Sequence, residues 1–380
     1  MLNISMMTFC GKGTAKHSMA DYYVYTENLS VGYHKKTVLE NIVIGVNRGE
    51  ILTLIGPNGV GKSTVLKSLA GQLKLLAGTV YIDQNDLSLF SKDALSQKLA
   101  VVFTERLRTE LMTCRDVVST GRYPYTGHFG IPSEVDRQKV EEAMKLVRVA
   151  ELANMDFTKI SDGQRQRVML ARAICQETDI ILLDEPTSYL DMKYKLEFLS
   201  LLQKMAREKK LSVIMSLHEL DLAKKVSDKI ICVGKNAVER FGTPQEIFAG
   251  NYIKELFSIT SGSFDEASGS MELEALRGAP EVFVLAGAAS GQETFRELQR
   301  KGIPFATGII YENDMDYPVA KALASETVSV GALEHIGEER LKRAKELAAS
   351  CRKVICCRSS FADWEPENKT LYEILKRRDA

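Results

Sequence analysis

The chain has 380 residues, 45% of them apolar and 26% charged, with 50 basic and 50 acidic side chains and no net formal charge. This is a soluble globular composition, and the length predicts about two domains. A balanced charge removes the long-range attraction to phosphate backbones that a nucleic-acid binder carries, so no nucleic-acid partner is expected.

Residues 1–20 read as a disordered tail, with Met19 as an alternative start and without the charge, apolar centre and cleavage site of a secretory signal. From about Tyr22, β-branched runs alternate with helical patterns: NIVIGV, EILTLIG, a helix from Lys62 to Ala70, then VVF, DIILLD and SVIMSLH. Such alternation predicts a mostly parallel sheet covered by helices. Residues 259–279 include GSFDEASGS, which is polar and aperiodic, and read as a linker after a first domain over residues 21–258. Residues 280–380 resume the alternation with EVFVLAG, a helix near GQETFRELQRKG, PFATGII, a helix near PVAKALASE, a helix over Glu338–Ala349, and KVICC. They read as a smaller, Rossmann-like α/β domain with a regulatory role. Its turn residues Gly287, Ser290 and Gly291 are candidates for a phosphate cradle, although the full G-x-G-x-x-G is absent.

Seven scattered cysteines, an odd number without CxxC pairs, give neither a disulfide framework nor a zinc site; Cys356 and Cys357 read as part of a buried strand. No apolar run reaches the roughly 18 residues of a membrane helix.

Residues 56–64, GPNGVGKST, follow an apolar strand and open a helix. Gly56, Gly59 and Gly61 permit backbone angles that turn N–H groups inward, and Pro57, Asn58, Val60 and Thr64 complete a loop suited to phosphate. Lys62 is placed to reach terminal phosphates, and the Ser63 hydroxyl to coordinate Mg2+. DIILLDEP ends an apolar strand in Asp184, a second magnesium candidate, and Glu185, a candidate base for an attacking water.

The ordered series GPNGVGKST, ISDGQ, IILLDEPTSYLD and SLHELDLA resembles the nucleotide-binding domain of ABC transporters over about residues 22–258. The resemblance implies a P-loop cassette with a RecA-like core and a helical subdomain, ATP hydrolysis, and a homodimer that traps ATP between the P-loop of one copy and the signature turn of the other. It assigns Ser161, Asp162, Gly163 and Gln164 to that signature, Asp191 to the loop bridging the subunits, Tyr33 to adenine stacking and His218 to the switch at the γ-phosphate. Asp162 departs from the usual glycine and places a carboxylate near the phosphate site if it points inward. The family's magnesium-contacting glutamine falls on Thr104, followed by Glu105, and either residue could replace it.

The resemblance also implies separate membrane permease subunits, a substrate-binding protein acting indirectly, and a place on the cytoplasmic face of the cell membrane. The stretch GRYPYTG, with Arg122, Tyr123 and Pro124, resembles importers of iron-siderophores, haem and cobalamin. As bare chemistry it reads as an exposed turn with an aromatic anchor. The competing expectation is a soluble ABC-type ATPase coupled to no permease.

Overall fold

The computed structural model describes residues 19–34, 36–103, 111–127, 130–266 and 269–378. Most of the expected tail, together with Thr104 and Glu105, lies outside the described residues. The chain divides into two compact units, Met1–Ala249 and Gly250–Ala380. No helix among the described residues is long and apolar enough to cross a membrane.

The first unit is built on a six-stranded sheet ordered Val238–Gly242, Lys229–Val233, Ile51–Ile55, Ser212–Ser216, Ile180–Leu183 and Leu99–Val102. All neighbours run parallel except the antiparallel edge strand Val238–Gly242. The strands Ile51–Ile55, Ile180–Leu183 and Ser212–Ser216 are buried along their whole lengths. This is why they read as continuous apolar runs without alternation: both faces of the sheet are covered. The same order sets the carboxyl ends of Ile51–Ile55, Ser212–Ser216 and Ile180–Leu183 side by side.

A second, antiparallel sheet contains Lys36–Ile42, Val24–Tyr33, Ala77–Ile82 and Asn85–Asp86, with Gly45–Val46 paired to Val24–Tyr33. It is tied to the parallel sheet through Asp179, just before the strand Ile180–Leu183, which accepts hydrogen bonds from Tyr23 Oη, Arg48 and Lys98. Partial burial pushes the Asp179 carboxyl up, but these donors outweigh it and hold it at about 2.

Three helices, Cys114–Ser119, Glu134–Leu146 and Asp162–Cys175, pack together, and each begins in a capping box. The reciprocal side-chain and backbone bonds of that motif satisfy donors that a helix N-terminus leaves open. Arg122 stands among these helices and is only 6% exposed. Its Nε donates to Asp136 Oδ1 at 2.8 Å, its Nη1 donates to the Cys175 carbonyl at 2.6 Å and to Glu177 at 3.0 Å, and its guanidinium lies over the Tyr125 ring. The reading of GRYPYTG as an exposed turn therefore fails for Arg122, whose partners lie far along the chain, while Tyr123 and Tyr125 are exposed. Arg122→Ala strands the buried Asp136 carboxylate, and we expect it to destabilise the protein by about 3–5 kcal/mol, read as a lowered thermal unfolding midpoint.

In the second unit a four-stranded parallel sheet is ordered Glu326–Val330, Phe305–Tyr311, Val282–Leu285, Lys353–Cys356. Two separate apolar clusters cover it, one containing Phe295, Leu298, Val319 and Leu323, the other Ala344, Leu347, Leu371 and Leu375. Helices Gln292–Arg300 and Tyr317–Leu323 thus form one layer, and Gly337–Ser350 and Pro366–Arg378 the other. The segment read as a linker contains a small antiparallel pair, Ser263–Asp265 with Ser270–Glu272. Cys356 ends the last strand on the exposed side and Cys357 is half-buried, so the expectation that both lie in a buried strand is corrected.

Candidate functional site

The glycine loop between Ile55 and the helix Lys62–Leu69 is shaped by close backbone approach. Gly56 has φ 150°, and a Cβ there would sit 2.1 Å from the Val233 carbonyl oxygen of the neighbouring strand. Gly61, the residue before the helix, has φ 110°, and a Cβ there would meet Val38 at 2.7 Å. Larger residues cannot hold this path, so the loop keeps its N–H groups at the head of a helix, where the helix dipole adds positive potential. Lys62 is buried, and its Nζ donates to the carbonyls of Gly56 at 2.8 Å and Pro57 at 2.9 Å. Burial lowers the pKa of this amine, while the nearby Glu185 and Asp184 oppose that shift.

A cavity of about 270 Å3 is lined by Asn58, Gly59, Gly61, Lys62, Ser63, Thr64, Glu185 and His218. Three chain-distant segments meet there because their strands are sheet neighbours. Glu185 has φ 48°, a left-handed conformation that breaks the line of the strand Ile180–Leu183 immediately before Pro186. His218 Nε2 lies 2.5 Å from Glu185 Oε1, and Ser188 Oγ donates to Glu185 Oε2 at 3.3 Å. The carboxylate is thereby fixed at both oxygens at the edge of the cavity.

Ser216 escaped the sequence reading, although it stands two residues before His218 on the strand beside Ile180–Leu183. Its Oγ donates to Asp184 Oδ1 at 2.7 Å and accepts from the backbone N–H of Glu185 at 2.9 Å. One hydroxyl thus orients both carboxylate-bearing residues. A second brace holds the residue after the histidine: Glu219 accepts from Thr187 Oγ1 at 3.0 Å and from Lys195 Nζ at 2.5 Å. Burial raises the Glu219 pKa, but these two donors outweigh it and lower it overall.

Asp184 is buried, and its Oδ2 has no hydrogen-bond partner among the described residues. With the Ser63 hydroxyl it offers hard oxygen donors, the type that suits magnesium together with phosphate oxygens. No group of three or more His, Cys, Asp or Glu among the described residues forms a self-sufficient metal cage, so such an ion would lean on the nucleotide for its remaining ligands. Tyr33 ends a strand half-exposed, and its Oη accepts from Thr64 Oγ1 at 3.4 Å, which places the ring beside the start of the P-loop helix.

The ISDGQ turn is not among the residues lining this cavity. Ser161 caps the helix Asp162–Cys175 through its capping box with Gln164, and a Cβ on Gly163 would sit 3.0 Å from the Tyr189 carbonyl. Asp162 is exposed and ion-paired to Arg165 one turn on, so its charge is answered within its own helix. Asp191 caps the helix Met192–Lys209 by accepting from the Tyr194 N–H at 3.0 Å.

In the second unit the turn proposed as a phosphate cradle is filled from within. Asp316 Oδ2 accepts from the N–H groups of Gly287 and Gly291 at 2.9 Å each, and Asp314 accepts from Ala288 at 2.5 Å and Ala289 at 3.3 Å. Two carboxylates occupy the place an anion would take, so Gly287, Ser290 and Gly291 do not form an open phosphate site.

The family described as ABC transporter matches residues 39–188, and the MJ0874 family matches residues 305–380. An uncharacterized ABC transporter ATP-binding protein of Methanocaldococcus jannaschii is 39% identical over 287 residues, covering 74% of this chain and 98% of its own length. The iron(3+)-hydroxamate import ATP-binding protein FhuC of Bacillus subtilis is 35% identical, covering 62% of this chain and 87% of its own. The cobalamin import ATP-binding protein BtuD of Halobacterium salinarum is 30% identical over 326 residues, covering 84% of this chain and 81% of its own. Among solved structures, a protein described as a metal-chelate type ABC transporter, in an inward-facing conformation, aligns with TM-score 0.55 at 27% identity over 66% of this chain and 95% of that one. The dimeric post-hydrolysis cassette MJ0796 bound to ADP and Pi aligns with TM-score 0.53 at 29% identity over 58% and 98%. Together with the P-loop, the DEP strand end and the histidine gathered on one cavity, these likenesses establish that the chain belongs to the ATP-binding, ATP-hydrolysing proteins of ABC transporters.

Proposed function

We propose that this chain powers an importer: two copies close head to tail over two ATP molecules, and the cycle of closure and reopening drives separate permease subunits that take up an iron complex or cobalamin. A substrate-binding protein delivers the cargo from outside, and the ATPase works on the cytoplasmic face of the membrane. The observation that carries the reading is the cavity joining Lys62, Ser63, Glu185 and His218. The iron and cobalamin cargo classes are supported by the import proteins named above, each at least 30% identical.

In this reading Gly56, Pro57, Asn58, Gly59, Val60, Gly61 and Thr64 form the phosphate loop, with Lys62 on the terminal phosphates. Tyr33 stacks on adenine. Ser63 and Asp184, and Thr104 if it reaches the site, hold Mg2+, which when bound neutralises charge building on the β- and γ-phosphates. Glu185 accepts the proton of the attacking water, and His218 fixes that carboxylate and contacts the γ-phosphate. Ser161, Asp162, Gly163 and Gln164 of one copy complete the site of the other, and Asp191 bridges the two. The exposure of the signature turn away from the P-loop cavity of its own chain supports this division of labour.

The composite site is tested with Ser161→Arg, made in a Glu185→Gln background. Sedimentation should show that ATP no longer produces a dimer, while each lone subunit still binds ATP; an ATP-induced dimer that survives the arginine would sink the head-to-tail arrangement. The transport role is tested by co-purifying the chain with its permease and measuring uptake of labelled ferric hydroxamate and cobalamin into reconstituted vesicles. ATPase activity that no permease stimulates would leave the soluble alternative.

A further inference from the structure

The parallel sheet of the second unit carries a built crevice that the ATPase reading does not use. Its strand order changes direction between Val282–Leu285 and Lys353–Cys356. In open α/β sheets ligands bind beyond the carboxyl ends of the strands at such a point. A cavity of about 740 Å3 lies there, lined from the loops that follow all four strands: Ala288, Asp314, His335 and Trp364 represent one loop each. That volume is typical of a site for a small organic molecule.

The electrostatics of the crevice reject anions. The N–H groups that would have met a phosphate are already held by Asp314 and Asp316. Arg358, the one Lys or Arg in the lining, is paired with Glu365 and also donates to the Ser360 carbonyl. Asp314, Glu334 and Glu365 therefore face the cavity against a single guanidinium. Arg340, which pairs with Glu334, is not part of the lining.

The rim, by contrast, is apolar and open. Met315 is 70% exposed, Leu333 100% and Trp364 70%, each on a different loop around the same cavity. Scattered exposed apolar residues are ordinary, but three large ones converging on one crevice mark a surface that gains from being covered. Trp364 is the only tryptophan in the chain. The side-chain polar groups of Asn313 and His335, both in the lining, and the Trp364 indole N–H have no hydrogen-bond partner among the described residues.

We propose that this crevice binds an uncharged or positively charged molecule with a flat heteroaromatic face, which stacks against Trp364 and is hydrogen-bonded by Asn313 and His335, while phosphorylated and other anionic counterparts are refused. The site rests only on the second unit, so it stands or falls independently of the cargo assigned to the ATPase.

The single tryptophan makes the test local, because Trp364 lines this crevice and is not among the residues lining the P-loop cavity. The chain is titrated with adenosine against AMP, and with thiamine against thiamine pyrophosphate. At least one of adenosine and thiamine should bind saturably, and at least about tenfold tighter than its phosphorylated counterpart, given the cost of setting like charges together. Glu334→Gln, which alters an exposed carboxylate without touching the core, should narrow that gap by about twofold. Equal or tighter binding of the phosphorylated member, or no saturable binding of either unphosphorylated probe, overturns the proposal. Neither result bears on ATP hydrolysis, which is measured in parallel.

Discussion

Glu185→Gln is expected to slow ATP hydrolysis by about 10²–10⁴-fold, equivalent to roughly 3–5 kcal/mol of barrier, while leaving ATP binding intact. Glutamine keeps the shape of the side chain and can still accept a hydrogen bond from His218 through its amide oxygen, so the geometry set by the left-handed backbone at Glu185 and by Ser216 survives. What disappears is a carboxylate able to take a proton from water. The residues that cradle phosphate belong to a different segment, Gly56 to Thr64, and are unchanged. Binding without turnover should then accumulate the closed state, so gel filtration of the variant with ATP should show a dimer that wild-type protein holds only transiently. Phosphate release measured beside it completes the test. Turnover at the wild-type rate would remove Glu185 from the role of base.

The parts of this site that are legible in the sequence are those whose chemistry is local in the chain. The glycine loop and the DE pair each announce themselves within a few residues, because a phosphate loop needs particular backbone freedom and a buried strand end rarely carries two carboxylates without a use for them, whereas His218 is reached only through the family resemblance. That they share one cavity depends on the sheet order, which places Ser212–Ser216 between Ile51–Ile55 and Ile180–Leu183. Spacing along the chain does not contain that order. Ser216 was missed for the same reason: a serine in an apolar strand looks like packing until the neighbouring strand brings Asp184 to it. Arg122 shows the converse error, since polar residues around a proline suggest a solvated turn, whereas Asp136 and Glu177, distant in sequence, draw the guanidinium inside. The turn at Gly287 misleads in a third way. Its backbone has the shape of an anion site, but the anion is supplied by Asp314 and Asp316 from the loop after the next strand.

Lys62→Ala should fail one step earlier than Glu185→Gln, at ATP binding. The ammonium group is buried and bridges the carbonyls of Gly56 and Pro57, so it sits within the loop that must receive the phosphates. Burial favours its neutral form, but Glu185 and Asp184 favour the charged one, and an incoming polyphosphate adds far more negative charge on the same side. A charge-assisted hydrogen bond contributes about 1.5–3 kcal/mol, so losing the contacts to two phosphates should weaken ATP by roughly 10²-fold or more. Lys62→Arg should not rescue it, because a planar fork cannot replace a compact amine between two carbonyls less than 3 Å away. Calorimetry with ATP and magnesium reads the affinity directly. The two variants should therefore part company: alanine at 62 yields a subunit that neither binds ATP nor dimerises with it, and glutamine at 185 yields one that does both and stops there. Wild-type affinity in Lys62→Ala would mean that the glycine loop is not where the nucleotide is held.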